Sequence, residues 1–363
     1  MNAARLTGQV RVVGTGLLGT SIGLGLRALG LDVALANRSP AALRLAIDYG
    51  AGRAAAPGDD PSIIVVAVAP DSTAAIVAQE LEAYPSALVT DVASVKGAIL
   101  QELTDLGADV SRYLGSHPMA GRERGGAMSA RADLFLGRPW VLTPHAGTTN
   151  EQFFALENLA VDLGGVPVRM TPEEHDRGVA LISHAPQVVA SLLAARLLGA
   201  AETVPSLAGQ GLRDTTRIAA SDPELWIQIL GANAAPVAEV LRAFRDDLDG
   251  VIAALDDPEA PGAPTRLATA LARGNEGVAR IPGKHGRDER YATLVVQVAD
   301  APGELARLLT EIGEEGVNME DLRLEHSPGA QVGFAEIAVL PEKSHQLAEA
   351  LTARGWSLAE DRR

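Results

Sequence analysis

The most constraining stretch of the chain is VRVVGTGLLGTSIGLGLRALG, residues 10–30. A β-branched apolar run leads into Gly14, Gly16 and Gly19 in GxGxxG spacing, and an apolar helical pattern follows at once. A strand ending in such a turn needs one glycine for the tight bend and a second so that backbone can approach a phosphate. The third lets helix and strand pack closely, while the helix N-terminus offers amides to an anion. The motif predicts a parallel α/β domain that binds a dinucleotide, with Gly14, Gly16, Leu17, Leu18 and Gly19 at the pyrophosphate.

The rest of the first 170 residues supports that architecture. QVRVVG, LDVALA, SIIVVAVAP, ALVTDVA and RPWVLTP read as buried strands alternating with helices, a Rossmann-type doubly wound sheet. The second strand ends in Asn37, Arg38 and Ser39, where an acidic residue would hold a ribose 2′-hydroxyl. Asp32 stands at its other end. NAD is the expected cofactor, with NADP open because Arg38 and small polar residues suit a 2′-phosphate.

From residue 171 to 280 the strand signal vanishes. HDRGVALISHAPQVVASLLAARLLG and ELWIQILGANAAPVAEVLRAFRDDLDGVIAAL predict long helices, apolar on more than one face, as in an all-α dimerisation and substrate domain. Residues 281–290 read as a linker. Residues 291–363 follow a strand, helix, strand, strand, helix order, a compact ferredoxin-like α+β unit.

Charge and composition narrow the partners. The net charge is −15 with no clustered basic run, which disfavours nucleic acid and anionic membranes. No apolar run of eighteen residues and no leader pattern are present, so a soluble, cytoplasmic protein is expected. The absence of cysteine excludes disulfides and thiolate chemistry.

One loop carries candidate chemistry. In LGSHPMAGRERGG, His117 precedes Pro118, which keeps it out of helical geometry at the carboxyl end of a strand, where open α/β sheets bind ligands. Read alone, it is a catalyst or a loop histidine bonded to backbone.

Four motifs taken together resemble the prephenate/arogenate dehydrogenase family of tyrosine biosynthesis: the N-terminal GxGxxG, DVASVKG, GSHPMAG with its following glutamate, and GLRDTTRIAASDPELW. The likeness spans Val10 to Ala279. It implies an oxidative decarboxylation, with hydride passing from a cyclohexadienol to the nicotinamide and the ring carboxylate leaving as CO2. By resemblance His117 is the base and Ser94 bonds the reacting hydroxyl; Ser94 is also a plausible N-cap for the next helix. Arg217 matches the substrate-binding arginine, as a planar fork suits a dicarboxylate. His175 and His184 match positions near the active site. Gln187 stands where the family often has a second histidine. Glu123 matches a gating glutamate, and Arg122 replaces a small polar residue. Lys96 has no assigned role and is expected to be solvated.

DAPGELARLLTEIGEEGVNMEDLRL resembles an ACT domain. This implies L-tyrosine or a related amino acid as effector, with Gly303 and Asn318 as contacts, in a homodimer. The expected reaction is prephenate to 4-hydroxyphenylpyruvate. The alternatives are arogenate as substrate, a β-hydroxyacid or imine reductase built around a helical lysine, and a sensor that binds nucleotide and amino acid without turnover.

Overall fold

In the computed structural model, which describes residues 4–121, 125–201, 203–281, 291–326 and 332–359, the glycine turn joins β1 (Gln9–Val13) to α1 (Leu17–Ala28) as the motif requires. The chain continues through β2 (Val33–Ala36), α2 (Pro40–Asp48), β3 (Arg53–Ala54), β4 (Pro61–Val66), α3 (Pro70–Ala83), β5 (Leu88–Asp91) and α4 (Gly97–Asp105). All pairings in this sheet are parallel, in the order β3-β2-β1-β4-β5. This is the strand order of a Rossmann half with the switch point beside β1, where ligands bind.

Strand alternation builds two cores. Val10, Val12, Ile63 and Val65 face α1 and the helix Asn150–Asp162 on one side; Val13, Ile64, Val66 and Val89 face α3 and α4 on the other. Burial on both faces explains the unbroken apolar runs. Beyond β5 lies a second sheet of β6 (Gly115–Pro118), β7 (Pro139–Thr143) and β8 (Val166–Arg169), with α5 (Asn150–Asp162) between β7 and β8. The β6 and β7 strands are antiparallel, β7 and β8 parallel. Sequence periodicity anticipates β7 but not β8, and the strand expected to end at His117 is β6, read from the His-Pro context; GSHP and VPVR are themselves too short and too rich in proline to show a period.

The region after β8 is helical, as expected: α6 (Pro172–Val179), a π-helical turn (Ala180–His184), α7 (Ala185–Ala195), α8 (Gln210–Thr216), α9 (Pro223–Ala232), α10 (Ala234–Asp256) and α11 (Ala263–Val278). Pro186 lacks an amide hydrogen and its ring crowds the carbonyl one turn back, which accounts for the wide turn before it. The run 172–199 has the length and mean hydropathy, 1.5, of a membrane span. It nevertheless carries the buried His175, Asp176, His184 and Gln187. Thr171 and Glu174 form a capping box at its start.

The chain divides into two compact units, residues 1–245 and 246–363, the divide falling within α10. The second unit contains β9 (Ala292–Ala299), α12 (Glu304–Glu314), β10 (Asp321–His326), β11 (Val332–Val339), α13 (Pro341–Ala353) and β12 (Ser357–Ala359). Its sheet is antiparallel in the pairs β10-β11, β11-β9 and β9-β12, with a core of Val296, Leu308, Ile337, Leu347 and Leu351. The strand and helix order expected after residue 290 is thus present. Of the expected linker, residues 282–290 lie outside the described residues.

Candidate active site

A cleft of about 740 Å³ opens at the carboxyl ends of β1, β4 and β5, lined by Gly16, Leu18, Ser94, His117, His184 and Trp226 among others. It shares Gly16, Ala67, Val68 and Ala69 with a second cleft of about 290 Å³ that runs past Gly14 and Thr15 to Asn37 and Arg38. The two form a continuous path from the end of β2 to His117.

The glycines divide their work along this path. Gly14 has φ of +101°, and a Cβ there would lie 2.3 Å from the carbonyl oxygen of Ala67. Gly16 caps α1 with no side-chain hydrogen bond, and a Cβ added to it would meet open space. No acidic residue occupies the first turn of α1. Leu17 and Leu18 both line the larger cleft. The bare helix terminus therefore fits the pyrophosphate of a dinucleotide. At the far end Asn37 donates to Thr15 Oγ1 at 2.5 Å. The Ser39 hydroxyl accepts from the Ala42 amide and so caps α2, which leaves Arg38, exposed, as the cation at this wall. Asp32 is engaged at the opposite end of β2 by Arg53 and Gln9.

His117 lies in β6, paired with Val141 of β7, and is half-buried at the cleft. Its Nδ1 is 2.9 Å from Nε2 of His175, whose Nδ1 is 2.8 Å from Oδ1 of Asp176. Burial pushes the Asp176 carboxyl up, but hydrogen bonds from His175 and from the amides of Lys96 and Gly97 outweigh it and hold it below the ordinary carboxylate range. As a carboxylate it only accepts, so His175 carries a proton on Nδ1. A His175 ring bearing that one proton accepts at Nε2 from His117 Nδ1–H, an arrangement that puts the lone pair of His117 on Nε2. Burial first, then the neighbouring His175, Lys96 and His184, pushes the His117 pKa well below its usual value, so the ring is a neutral acceptor near neutral pH.

Ser94 sits on the turn between β5 and α4, half-buried in the cleft wall. The expected capping role falls elsewhere: α4 starts at Gly97, and its first amides are taken by the Asp176 carboxylate, at 2.9 Å to Lys96 N and 2.8 Å to Gly97 N. Lys96 corrects a second expectation. It is 1% exposed rather than solvated. Its Nζ pairs with the Asp91 carboxylate and donates to the Ser116 carbonyl oxygen at 2.7 Å, while Tyr113 donates to the other Asp91 oxygen at 2.7 Å. This buried group ties the Ser94 turn to the residue preceding His117.

The remaining expected residues are more scattered. His184 and Gln187 are buried in the π turn and α7, and His184 lines the cleft. Arg217 is exposed, on the turn that precedes the cleft residues Ser221 and Asp222, and is not itself a lining residue. Asp222 caps α9 through the Glu224 amide. Arg122 and Glu123 lie outside the described residues. In the second unit Gly303 begins α12 with φ of +93°, and the Asn318 amide donates to Glu320 at 2.9 Å. Asp91, Lys96, Tyr113, Asp176 and Asn233 were not singled out as site residues by sequence; the adjacency of His175 and Asp176 was the one local signal.

Comparison with known proteins agrees with this geometry. Residues 22–169 match the family model described as prephenate dehydrogenase, nucleotide-binding domain, and residues 171–271 match prephenate dehydrogenase, dimerization domain. The chain is 36% identical to a probable prephenate dehydrogenase, NovF, of Streptomyces niveus, over 95% of this chain and 98% of that one. It is similar to the crystal structure of Aquifex aeolicus prephenate dehydrogenase in complex with hydroxyphenyl propionate and NAD+, with TM-score 0.67, 26% identity and coverage of 75% of this chain and 98% of that one. It is likewise similar to Synechocystis arogenate dehydrogenase, with TM-score 0.63, 29% identity and coverage of 74% and 99%. The 36% identity over nearly the whole of both chains, with both prephenate dehydrogenase domain models matched in order, establishes that the chain belongs to the prephenate dehydrogenase family.

Proposed function

We propose that the protein is an NAD-dependent prephenate dehydrogenase that oxidatively decarboxylates prephenate to 4-hydroxyphenylpyruvate in L-tyrosine biosynthesis. The observation that carries the reading is the chain of contacts from Asp176 through His175 to His117, which lines the cleft reached from the bare N-terminus of α1.

Bound NAD supplies the hydride acceptor. His117 Nε2 takes the proton of the substrate hydroxyl as the carbinol carbon gives up its hydride. The proton stays on Nε2, while His117 Nδ1–H donates to His175 and the Asp176 charge stabilises the imidazolium through His175. Ser94 orients the hydroxyl. The C–C bond to the ring carboxylate then breaks, its electron pair enters the ring, CO2 leaves, and as the ring becomes aromatic its oxygen, now a phenolate, takes the proton back from His117 Nε2. Arg217 holds a substrate carboxylate, with Arg122, Glu123, His175, His184 and Gln187 completing the surroundings. Gly14, Gly16, Leu17, Leu18 and Gly19 hold the pyrophosphate, and Asn37, Arg38 and Ser39 hold the adenosine end.

The exposed Leu192, Leu198 and Leu207 of the helical region support a homodimer. The C-terminal unit is read as an ACT domain that binds L-tyrosine near Gly303 and Asn318, and the enzyme is placed in the cytoplasm. The test is formation of reduced nicotinamide from prephenate or arogenate with NAD or NADP. Turnover of prephenate with NAD is expected; saturable binding without turnover would favour a sensor.

A further inference from the structure

Asn233, between α9 and α10, has no part in the proton chain, yet it governs the second histidine of the cleft. It is buried, and its Nδ2 donates to the backbone carbonyl oxygen of Asp176 at 2.8 Å. That oxygen only accepts, so the amide nitrogen must face it, and this fixes the orientation of the Asn233 side chain. The same nitrogen lies 3.1 Å from Nδ1 of His184. Its second hydrogen serves that contact, so Nδ1 of His184 is an acceptor and the single ring proton is on Nε2.

His184 Nε2 is buried and has no hydrogen-bond partner among the described residues, and His184 is one of the residues lining the cleft that contains Ser94 and His117. A buried donor without a protein partner is costly unless a ligand meets it. The groups around the ring are His175 and Asp176 of α6 and the edge of Trp226, whose centroid is 6.0 Å away. Burial, with His175, outweighs Asp176 and lowers the His184 pKa to about 4. The ring is thus a neutral donor at neutral pH.

Resting on the reading of this cleft as the prephenate site, we infer that Asn233 is a positioning residue that locks His184 as an Nε2–H donor, and that this donor selects a substrate side chain with a keto oxygen over one with an ammonium in its place. Both substrates carry the same carboxylates, so the discriminating group is the keto oxygen of prephenate, which can accept from Nε2–H. The arogenate ammonium has three N–H groups and no acceptor, so at this wall it would set donor against donor. A site built to satisfy one pattern of hydrogen bonding rejects the opposite pattern strongly.

The test joins one spectroscopic and one kinetic measurement on the full chain. Long-range 1H–15N spectra of histidine-labelled protein, with His184 assigned through His184→Gln, should show the Nε2–H form at neutral pH. Asn233→Asp places an acceptor at Nδ1 and should convert His184 to the Nδ1–H form. That variant should lower the ratio of kcat/KM for prephenate to that for arogenate about tenfold or more, chiefly through the prephenate KM. His184→Gln, which can still donate, should retain the preference that His184→Ala loses. An Nδ1–H or doubly protonated His184 in the wild type would overturn the lock, and that spectrum needs no altered Asn233 to fold. A switched tautomer with an unchanged ratio would overturn the selectivity. No turnover of either substrate by the wild type would overturn the functional reading and the selectivity with it, while the spectrum would still decide the tautomer.

Discussion

The Nδ1 of His117 lies 2.9 Å from Nε2 of His175, and that contact decides which nitrogen of His117 faces the cleft as a base. His175→Phe removes the acceptor and frees His117 to place its proton on either nitrogen. The expected result is a fall in kcat on the order of 10²-fold or more with NAD affinity unchanged, because a misplaced tautomer costs the transition state and not the cofactor. Steady-state kinetics together with a binding titration check this, and an unaltered kcat would remove His175 from the mechanism.

The acid limb follows from the same burial. His117 is held well below the usual histidine pKa and His184 at about 4. kcat/KM should therefore hold as pH falls through about 6.5, the value of an unperturbed histidine, and drop only at lower pH. Stability runs the other way. Both folded pKa values lie below their unfolded ones, so the unfolded chain binds more protons. The contribution is complete above about pH 6.5 and is lost as pH falls towards about 4. Urea midpoints across that window should decline, and less steeply in His184→Gln.

Lys96 and Asp91 form a buried pair beneath the Ser94 turn. Lys96→Met strands the Asp91 charge and should destabilise the fold by about 3–5 kcal/mol. Adding Asp91→Asn should restore part of that loss, since both charges are then gone. A single variant as stable as the wild type, measured by denaturant unfolding, would show that the pair is dispensable.

The glycines at the turn should separate folding from binding. Gly14→Ala pushes a Cβ against the Ala67 carbonyl at positive φ and should cost about 1–3 kcal/mol of stability. Gly16→Ala meets open space and should leave Tm unchanged, while its methyl weakens NAD binding on the order of tenfold. Equal effects of the two on Tm would contradict this division.

Much of this was legible because the signals are local. The strand, glycine turn and helix at residues 9–28 are specified by contiguous residues, as is the β-α-β-β-α order after residue 290. His117 and Ser94, singled out through separate motifs, line one cleft. What was missed depends on long-range partners. Lys96 looks like any exposed lysine until Tyr113 and Ser116 close over it, and Asp176 caps a helix 79 residues upstream. Asn233 reaches His184 across 49 residues. None of these pairings leaves a periodic trace, and β6 and β8 are too short to leave one.

Arg217→Lys tests an assignment that rests on the family motif. Losing the planar fork should raise the prephenate KM about tenfold with kcat little changed; an unchanged KM would take Arg217 out of the substrate site.

The most direct test of the account is turnover by His117→Asn with prephenate and NAD. Asparagine keeps a polar side chain of similar reach but no basic nitrogen. The account predicts kcat lower by about 10²–10⁴-fold with NAD still bound at wild-type affinity. Turnover within a few-fold of the wild type would contradict it.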